Sequence, residues 1–426
     1  MKRSPWAWVP TLYFAEGIPY VAVMTISLIM YKRLGLSNTD ITLYTSWLYL
    51  PWVIKPLWSP FVDILRTKRW WIVAMQLLIG ASLAGVAFTI PGPWWLQGSL
   101  CFFWLMAFSS ATHDIAADGF YMLGLDSHQQ AYFVGIRSTF YRIATIFGQG
   151  LLVMLAGNLE VITRDIKFSW SLMFYGMAGL FIALWLWHHY ILPRPEASEK
   201  DSSLCVLRSS LLSDFWNTLV TFFHKPQVWA GICFMLFYRM PEGLLAKISA
   251  LFLIDAQHKG GLGLSPAEYG LVQGTVGVIG LTLGGILGGI CASRDGLKRW
   301  LWPMVAAITL PDLVYVYLSY ALPSNLFIIN VCVFVEQFGY GFGFSAYMLY
   351  LIYYSRGEHK TSHYALCTAF MALSMMIPGL FAGALQESVG YQNFFLIVVA
   401  TCSVTYIVSS LLKIDPEFGK KTEKVE

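Results

Sequence analysis

The chain has 426 residues, of which 57% are hydrophobic and 12% charged, with a net charge of +4. A soluble domain averages about 45–50% apolar and about 25% charged residues, so this composition excludes a water-soluble enzyme, and the small net charge gives no case for a nucleic-acid partner. The 7 Cys form no CxxC pair, and Cys101, Cys233, Cys332 and Cys402 fall inside apolar runs. They read as small core residues and not as a disulfide frame or a zinc site; no metal or other cofactor is expected.

A helix needs about 20 apolar residues to cross a hydrocarbon layer about 30 Å thick. Twelve such spans are predicted, near 6–31, 39–61, 70–90, 94–124, 130–157, 168–191, 226–255, 266–290, 301–321, 325–354, 362–386 and 391–412. The runs are too long for membrane strands of about 9–11 residues and do not alternate polar with apolar positions. The fold class is therefore an all-α membrane protein. The first run is too long for a signal-peptide core and lacks a small-residue cleavage site, so it is expected to remain in place.

Ionisable side chains at bilayer depth are costly and normally face a cavity. In chain order they are Glu16, Lys55, His113, Asp114, Asp118, Arg137 and Arg142, then Arg239, Glu242, Lys247, Asp312 and Glu336. Glu16 lies in Glu16-Gly17-Ile18-Pro19, where Gly and Pro are expected to interrupt helical hydrogen bonding beside a cavity. Asp114 and Asp118 are four apart and share a helix face. Arg137 and Arg142 are five apart and diverge by roughly 140°, so different roles are expected. Span five lacks the Gly-Pro pair of antiporter-type facilitators, which leans toward symport or uniport. Glycines 280, 284, 285, 288 and 289 predict close packing of span eight on a neighbour.

The loop 192–225 separates the halves. Its start is polar, and Leu211, Leu212, Phe215, Trp216, Leu219, Val220 and Phe223 recur at helical spacing, as in a helix lying in the membrane interface; an extension of span seven is the alternative. The predicted organisation is a six-helix bundle over 1–192, a linker over 193–225, and a second six-helix bundle over 226–426.

The halves repeat. Leu34-Gly35-Leu36-Ser37-Asn38-Thr39-Asp40 matches Leu262-Gly263-Leu264-Ser265-Pro266-Ala267-Glu268, each a helix-start signature with an acid three residues after a Ser. Glu16-Gly17 matches Glu242-Gly243, and Lys68-Arg69-Trp70 matches Lys298-Arg299-Trp300. Two parallel six-span halves related by a pseudo-two-fold axis resemble the plan of the major facilitator transporters. There the loop after span two carries an acid among bases that hold a gate; Asp63, Arg66 and Arg69, with Arg294, Asp295 and Arg299 in the second half, are the matching residues. A cytoplasmic N-terminus would place Lys2, Arg3, Arg66, Lys68, Arg69, Arg194, Arg294, Lys298, Arg299 and the basic C-terminal tail inside. Outside would lie Lys32, Arg33, Arg164, Lys167 and Lys259. The positive-inside rule then puts both termini in the cytoplasm.

Tyr13-Phe14-Ala15-Glu16-Gly17-Ile18-Pro19, the stretch Leu50-Pro51-Trp52-Val53-Ile54-Lys55-Pro56-Leu57-Trp58-Ser59-Pro60, and Ala111-Thr112-His113-Asp114-Ile115-Ala116-Ala117-Asp118-Gly119 resemble the AmpG-type muropeptide permeases. Val335-Glu336-Gln337-Phe338-Gly339 and Gly390-Tyr391-Gln392-Asn393-Phe394 extend the likeness into the second half. The span-four pattern is shared with acetyl-CoA transporters. His113 stands where the pattern usually has Gln, and Phe120-Tyr121-Met122 replaces a base expected soon after the second Asp.

The resemblance implies proton-driven import, across a bacterial inner membrane, of an anionic wall-derived amino sugar or anhydro-muropeptide. Lys55, Arg137, Arg142, Glu336, Tyr13 and Trp52 are the expected substrate residues. Asp118, Asp114, Glu16 and Glu242 are the expected proton-coupling residues, with Asp118 favoured as the carrier and Asp114 as partner of a base such as Lys55. A monomer is expected, its partners being the substrate, protons and the lipid bilayer. The rivals are another anionic solute such as a coenzyme-A thioester or sugar acid, and a ligand-sensing transceptor. An enzyme is not expected: His113 and the adjacent Asp114 point about 100° apart on a helix, and His188-His189 has no carboxylate nearby in sequence.

Overall fold

The structure is a computed structural model that describes residues 4–194, 216–357 and 360–418. Among the described residues every regular element is a helix, as a bilayer requires of a chain that must satisfy its own backbone polar groups. Nine helices among the described residues are each long and apolar enough to cross, from Pro5–Arg33 to Ser362–Ser410. The remaining predicted spans occur in interrupted form. Span two is Asn38–Trp47 followed by Leu50–Leu65, and span seven is Val228–Phe237 followed by Met240–Ile254. In both, the second helix restarts with a proline in its first turn, Pro51 or Pro241, where the missing N–H leaves no bond unmade. Spans eleven and twelve run together as Lys360–Ser410 and are divided at Gly390, whose φ of 77° is non-helical.

The helices form two compact units: Met1–Gly35 with Leu48–Trp216, and Leu36–Trp47 with Asn217–Glu426. The first piece of span two, Asn38–Trp47, therefore groups with the second unit, which the sequence-based division at 193–225 does not anticipate.

In the first unit, span one (Pro5–Arg33) is the most enclosed of the long helices and packs on spans four (Trp95–Gly124) and five (Gly135–Thr163). Gly17 permits this approach, because a Cβ there would sit 2.7 Å from the Cβ of Ala144. The expected break at Gly17-Ile18-Pro19 is absent. The helix continues through Pro19, which has no N–H to give the ladder, and widens into a π-helical turn at Ala22–Ile26. Trp8, Tyr13, Phe120 and Phe133 build the apolar core on one side. At the other end of span one, Arg33 pairs with Glu160 at 2.6 Å, and the Trp170 indole donates to the same carboxylate at 2.7 Å.

In the second unit, span eight (Pro266–Asp295) lies against span ten (Leu326–Tyr354). A Cβ at Gly284 would fall 2.0 Å from the Phe338 carbonyl oxygen, and one at Gly341 2.1 Å from that of Leu281. The predicted close packing is thus a contact of backbone on backbone. Phe234, Tyr238, Tyr347 and Tyr350 fill the core beside it. Residues 216–223 are helical and end in a turn before Val228, so they do not extend span seven. Phe222 is buried in the core while Trp216, Val220 and Phe223 face outward, an amphipathic arrangement suited to an interface. Leu211, Leu212 and Phe215 lie outside the described residues.

The repeated start signal has one geometry in both halves. Gly35 and Gly263 hold φ of 90° and 75°, which favour glycine. Two residues later, Ser37 accepts the Asp40 N–H at 3.0 Å and Ser265 accepts the Glu268 N–H at 3.2 Å. The Ser265 N–H donates back to Glu268 at 2.8 Å, completing a capping box.

Candidate functional site

Spans one, two, four and five bring seven of the predicted site residues together in the first unit. Asp114 and Asp118 lie on one face of span four, as their spacing requires. The Lys55 ammonium stands 3.8 Å from Asp114, and the Trp52 indole donates to the same carboxylate at 3.1 Å. One turn along, the Arg137 guanidinium binds Asp118 at 2.8 Å and lies 4.5 Å from the centre of the Tyr13 ring and 5.2 Å from that of Tyr121. The Tyr13 hydroxyl donates to Asp118 at 3.4 Å. Glu16 is buried on span one and interacts electrostatically with Asp114, Asp118, Arg137 and Lys55. Its Oε2 has no hydrogen-bond partner among the described residues. Arg142 interacts with Tyr141 and is not among the charges that act most on Glu16, in keeping with the expected divergence from Arg137.

One oxygen each of Glu16 and Asp114 and one ring nitrogen of His113 lie within 4.8 Å of one another. Such a trio has the donor types for a metal ion, but Lys55 already supplies the cation beside Asp114. With all groups ionised, Glu16, Asp114 and Asp118 face Lys55 and Arg137, leaving one negative charge that a single proton would cancel.

In the second unit, Glu242, Asp312 and Glu336 are buried and interact with one another, and Arg239 is the base that acts on Glu242. Gln337 donates to Glu336 at 2.9 Å. Arg239 lies over the rings of Tyr340, Phe344 and Tyr347, 4.8 Å from the centre of Phe344. The gate residues are less uniform. Asp295 holds Arg294 at 3.0 Å, Arg299 at 3.6 Å and the Trp300 indole at 3.0 Å. In the other half Arg69 donates to the carbonyls of Leu192 and His189, and Arg66 lies 5.7 Å from the centre of the Trp70 ring. The Asp63 side chain lies outside the described residues.

Three polar assemblies go beyond the predicted set. The Lys247 ammonium donates to the hydroxyls of Thr45 at 2.7 Å and Ser46 at 2.8 Å. Asn38 donates to Gln386 at 2.6 Å and to Tyr391 at 2.9 Å, and Tyr391 donates to Asp255 at 2.5 Å. In the first unit a buried string links Thr11, His188, Gln76 and His113. Lys247 carries a sequence signal as an intramembrane charge; the neutral partners carry none.

The sequence model of the BT1 family matches residues 14–287, well over half of the chain, and that of the Major Facilitator Superfamily matches 244–426. The chain belongs to the BT1 family. Its AmpG-type character is supported by the Anhydromuropeptide permease of Escherichia coli strain K12, 26% identical over 91% of this chain and 76% of the relative. A Rickettsia conorii protein named as an AmpG 4 transporter is 24% identical over 91% of each chain. Among solved structures, a D-xylose-proton symporter superposes with a TM-score of 0.71 over 98% of this chain and 99% of its own, at 14% identity. The nucleoside transporter NupG gives 0.68 over 96% and 98%, also at 14%. These structures bear out the predicted fold. This BT1-family chain is a multi-pass membrane transporter of the major facilitator superfamily that handles a small molecule, and it is not an enzyme.

Proposed function

We propose that this transporter imports a peptidoglycan-derived anionic amino sugar or anhydro-muropeptide across a bacterial inner membrane, driven by protons. It would work as a monomer by alternating access with both termini in the cytoplasm. The observation that carries the reading is the cluster of three acids and two bases in the first unit, one proton short of neutrality. Uncompensated charge at membrane depth is costly. A substrate carboxylate arriving at Arg137 or Lys55 takes the base away from Asp118 or Asp114. The released acid then leaves an excess negative charge, and a proton must enter with the substrate to remove it. Arg suits this because its planar fork binds carboxylates through paired hydrogen bonds; Tyr13 and Tyr121, buried against Arg137, and Trp52, bound to Asp114, would hold the two charges in place.

The carrier we propose is Glu16 and no longer Asp118. Asp118 is held by Arg137 at 2.8 Å, whereas Glu16 is buried with an oxygen that lacks a hydrogen-bond partner among the described residues. The test is uptake of labelled anhydro-muropeptide into vesicles under an imposed proton gradient. Glu16→Gln, a mimic of the protonated carboxyl, should abolish accumulation while leaving exchange of internal for external substrate intact. Accumulation by Glu16→Gln with ordinary pH dependence would reject Glu16 as carrier, and absence of any uptake by the native protein would reject the substrate.

A further inference from the structure

His113 and the string behind it have no part in the reading above. His113, Gln76 and His188 are fully enclosed in the first unit. The Gln76 side-chain nitrogen lies 3.1 Å from His113 Nε2, the Gln76 oxygen lies 3.0 Å from His188 Nδ1, and Thr11 Oγ1 lies 2.9 Å from His188 Nε2. With the Gln76 amide in this orientation, each contact fixes the next. An amide nitrogen only donates, so His113 Nε2 accepts and the ring proton sits on Nδ1. An amide oxygen only accepts, so His188 carries its proton on Nδ1 and accepts the Thr11 hydroxyl at Nε2. The alternative acceptor for that hydroxyl, the Trp8 carbonyl, is farther away at 3.3 Å.

The string therefore leaves one ring atom of His113 uncommitted. Among the described residues Nδ1 has no hydrogen-bond partner, and neither has Glu16 Oε2. A ring nitrogen of His113 and an oxygen each of Glu16 and Asp114 fall within 4.8 Å of one another. The string is not a proton wire, because an amide neither takes up nor releases a proton at accessible pH, and Gln76 interrupts it. What it does is fix a tautomer, and with it the sign of the dipole offered to the carboxylates.

We propose that Thr11, His188 and Gln76 lock His113 as the Nδ1–H tautomer, so that its ring N–H serves Glu16 when that carboxylate is ionised. His113 then sets the pH at which the coupling proton leaves, and Gln76 and His188 are positioning residues acting through it. The inference rests on Glu16 being the carrier. The other charged and titratable groups facing Glu16 are Tyr13 on its own span, Lys55 on span two, Asp114 and Asp118 on span four, and Arg137 and Tyr141 on span five. Their contributions are common to all the variants below.

The test is an infrared titration of the protonated-carboxyl band in the purified protein, which needs no substrate. Glu16→Gln should remove the band and so assign it. His113→Leu removes the donor to the ionised form, and the midpoint should rise by about 1–2 pH units. His113→Asn keeps an N–H near the place of Nδ1 and should leave the midpoint close to native. Gln76→Leu frees the ring to take either tautomer and should raise the midpoint by a smaller amount. The pH midpoint of proton-driven accumulation should move in step. An unchanged midpoint in His113→Leu, or an equal rise in His113→Asn, overturns the proposal while leaving the carrier assignment standing. A band that survives Glu16→Gln removes both. If His113→Leu does not fold, Gln76→Leu decides: a rise supports the lock and no rise overturns it.

Discussion

Neutralising Asp118 and Arg137 singly and together tests the charge arithmetic of the first unit most directly. The pair is short, at 2.8 Å, but its side chains are 43% and 30% exposed. Breaking a buried ion pair costs about 3–5 kcal/mol, and a surface pair is worth about 0–1 kcal/mol. This one lies between, so each single neutralisation should cost about 1–3 kcal/mol. In Asp118→Asn the remaining acids, Glu16 and Asp114, are matched by Lys55 and Arg137 in the empty protein, so Glu16 should give up its proton at lower pH. An arriving substrate carboxylate restores one negative charge, and accumulation should persist with its pH midpoint lowered. In Arg137→Met three acids face Lys55 alone, and the cluster should hold more protons at any given pH. The double variant has no stranded charge from the pair and again has one acid in excess. It should recover most of the lost stability and return the pH midpoint toward native, with weakened affinity for the anionic substrate. Denaturant unfolding in detergent gives the first quantity, and vesicle uptake at a series of pH values under an imposed gradient gives the second. A double variant as unstable as the sum of the singles, with its midpoint still where Asp118→Asn puts it, would rule the charge count out.

Lys55→Met should weaken binding of an anionic ligand by roughly ten- to a hundredfold, the worth of a charge-assisted hydrogen bond, and barely affect its neutral ester; equilibrium binding to both ligands checks this. Asp295→Asn should slow transport without lowering affinity, because Asp295 holds Arg294, Arg299 and Trp300 at the end of span eight and not the substrate residues; uptake rates and equilibrium binding measured side by side separate the two effects. Gly284→Ala should destabilise the protein by about 1–3 kcal/mol, as overpacking does, because its Cβ would stand 2.0 Å from a carbonyl oxygen; thermal unfolding reads it. A Cys placed at the exposed Lys259 should react with an impermeant thiol reagent in intact cells, and one at Arg294 only in inverted membranes.

Much of the fold is legible because its signals are local. Bilayer thickness fixes span length, and Ser37 and Ser265 announce their helices within three residues. The shared face of Asp114 and Asp118 follows from helical period alone. Which base each acid would meet does not follow, because that depends on how each helix is rotated about its axis. Lys55 reaching Asp114 agrees with the sequence-based suggestion, while Arg137 on Asp118 joins residues that the sequence set apart as substrate ligand and carrier. The Thr11–His188–Gln76–His113 string is illegible for a further reason. Its members are common polar residues on four different spans, and nothing distinguishes them from solitary buried ones until the helices are packed. The helix Asn38–Trp47 grouping with the second unit is hidden in the same way, since its partners Lys247, Asp255, Gln386 and Tyr391 lie hundreds of residues away in the chain.

The seam between spans eight and ten has a thermodynamic consequence. Lipid tails are as apolar as the helix faces they leave, so apolar burial gives little drive for two helices to meet inside a membrane. The seam at Gly284 and Gly341 is instead held by dispersion between main chains in contact, by weak Cα–H to carbonyl hydrogen bonds and by the Ser345 hydroxyl, which donates to the Gly285 carbonyl at 3.1 Å. Those forces are enthalpic and do not fade on cooling as hydration-driven association does. This helix pair should therefore resist low temperature, and its weak point is any solvent small enough to wedge between two backbones.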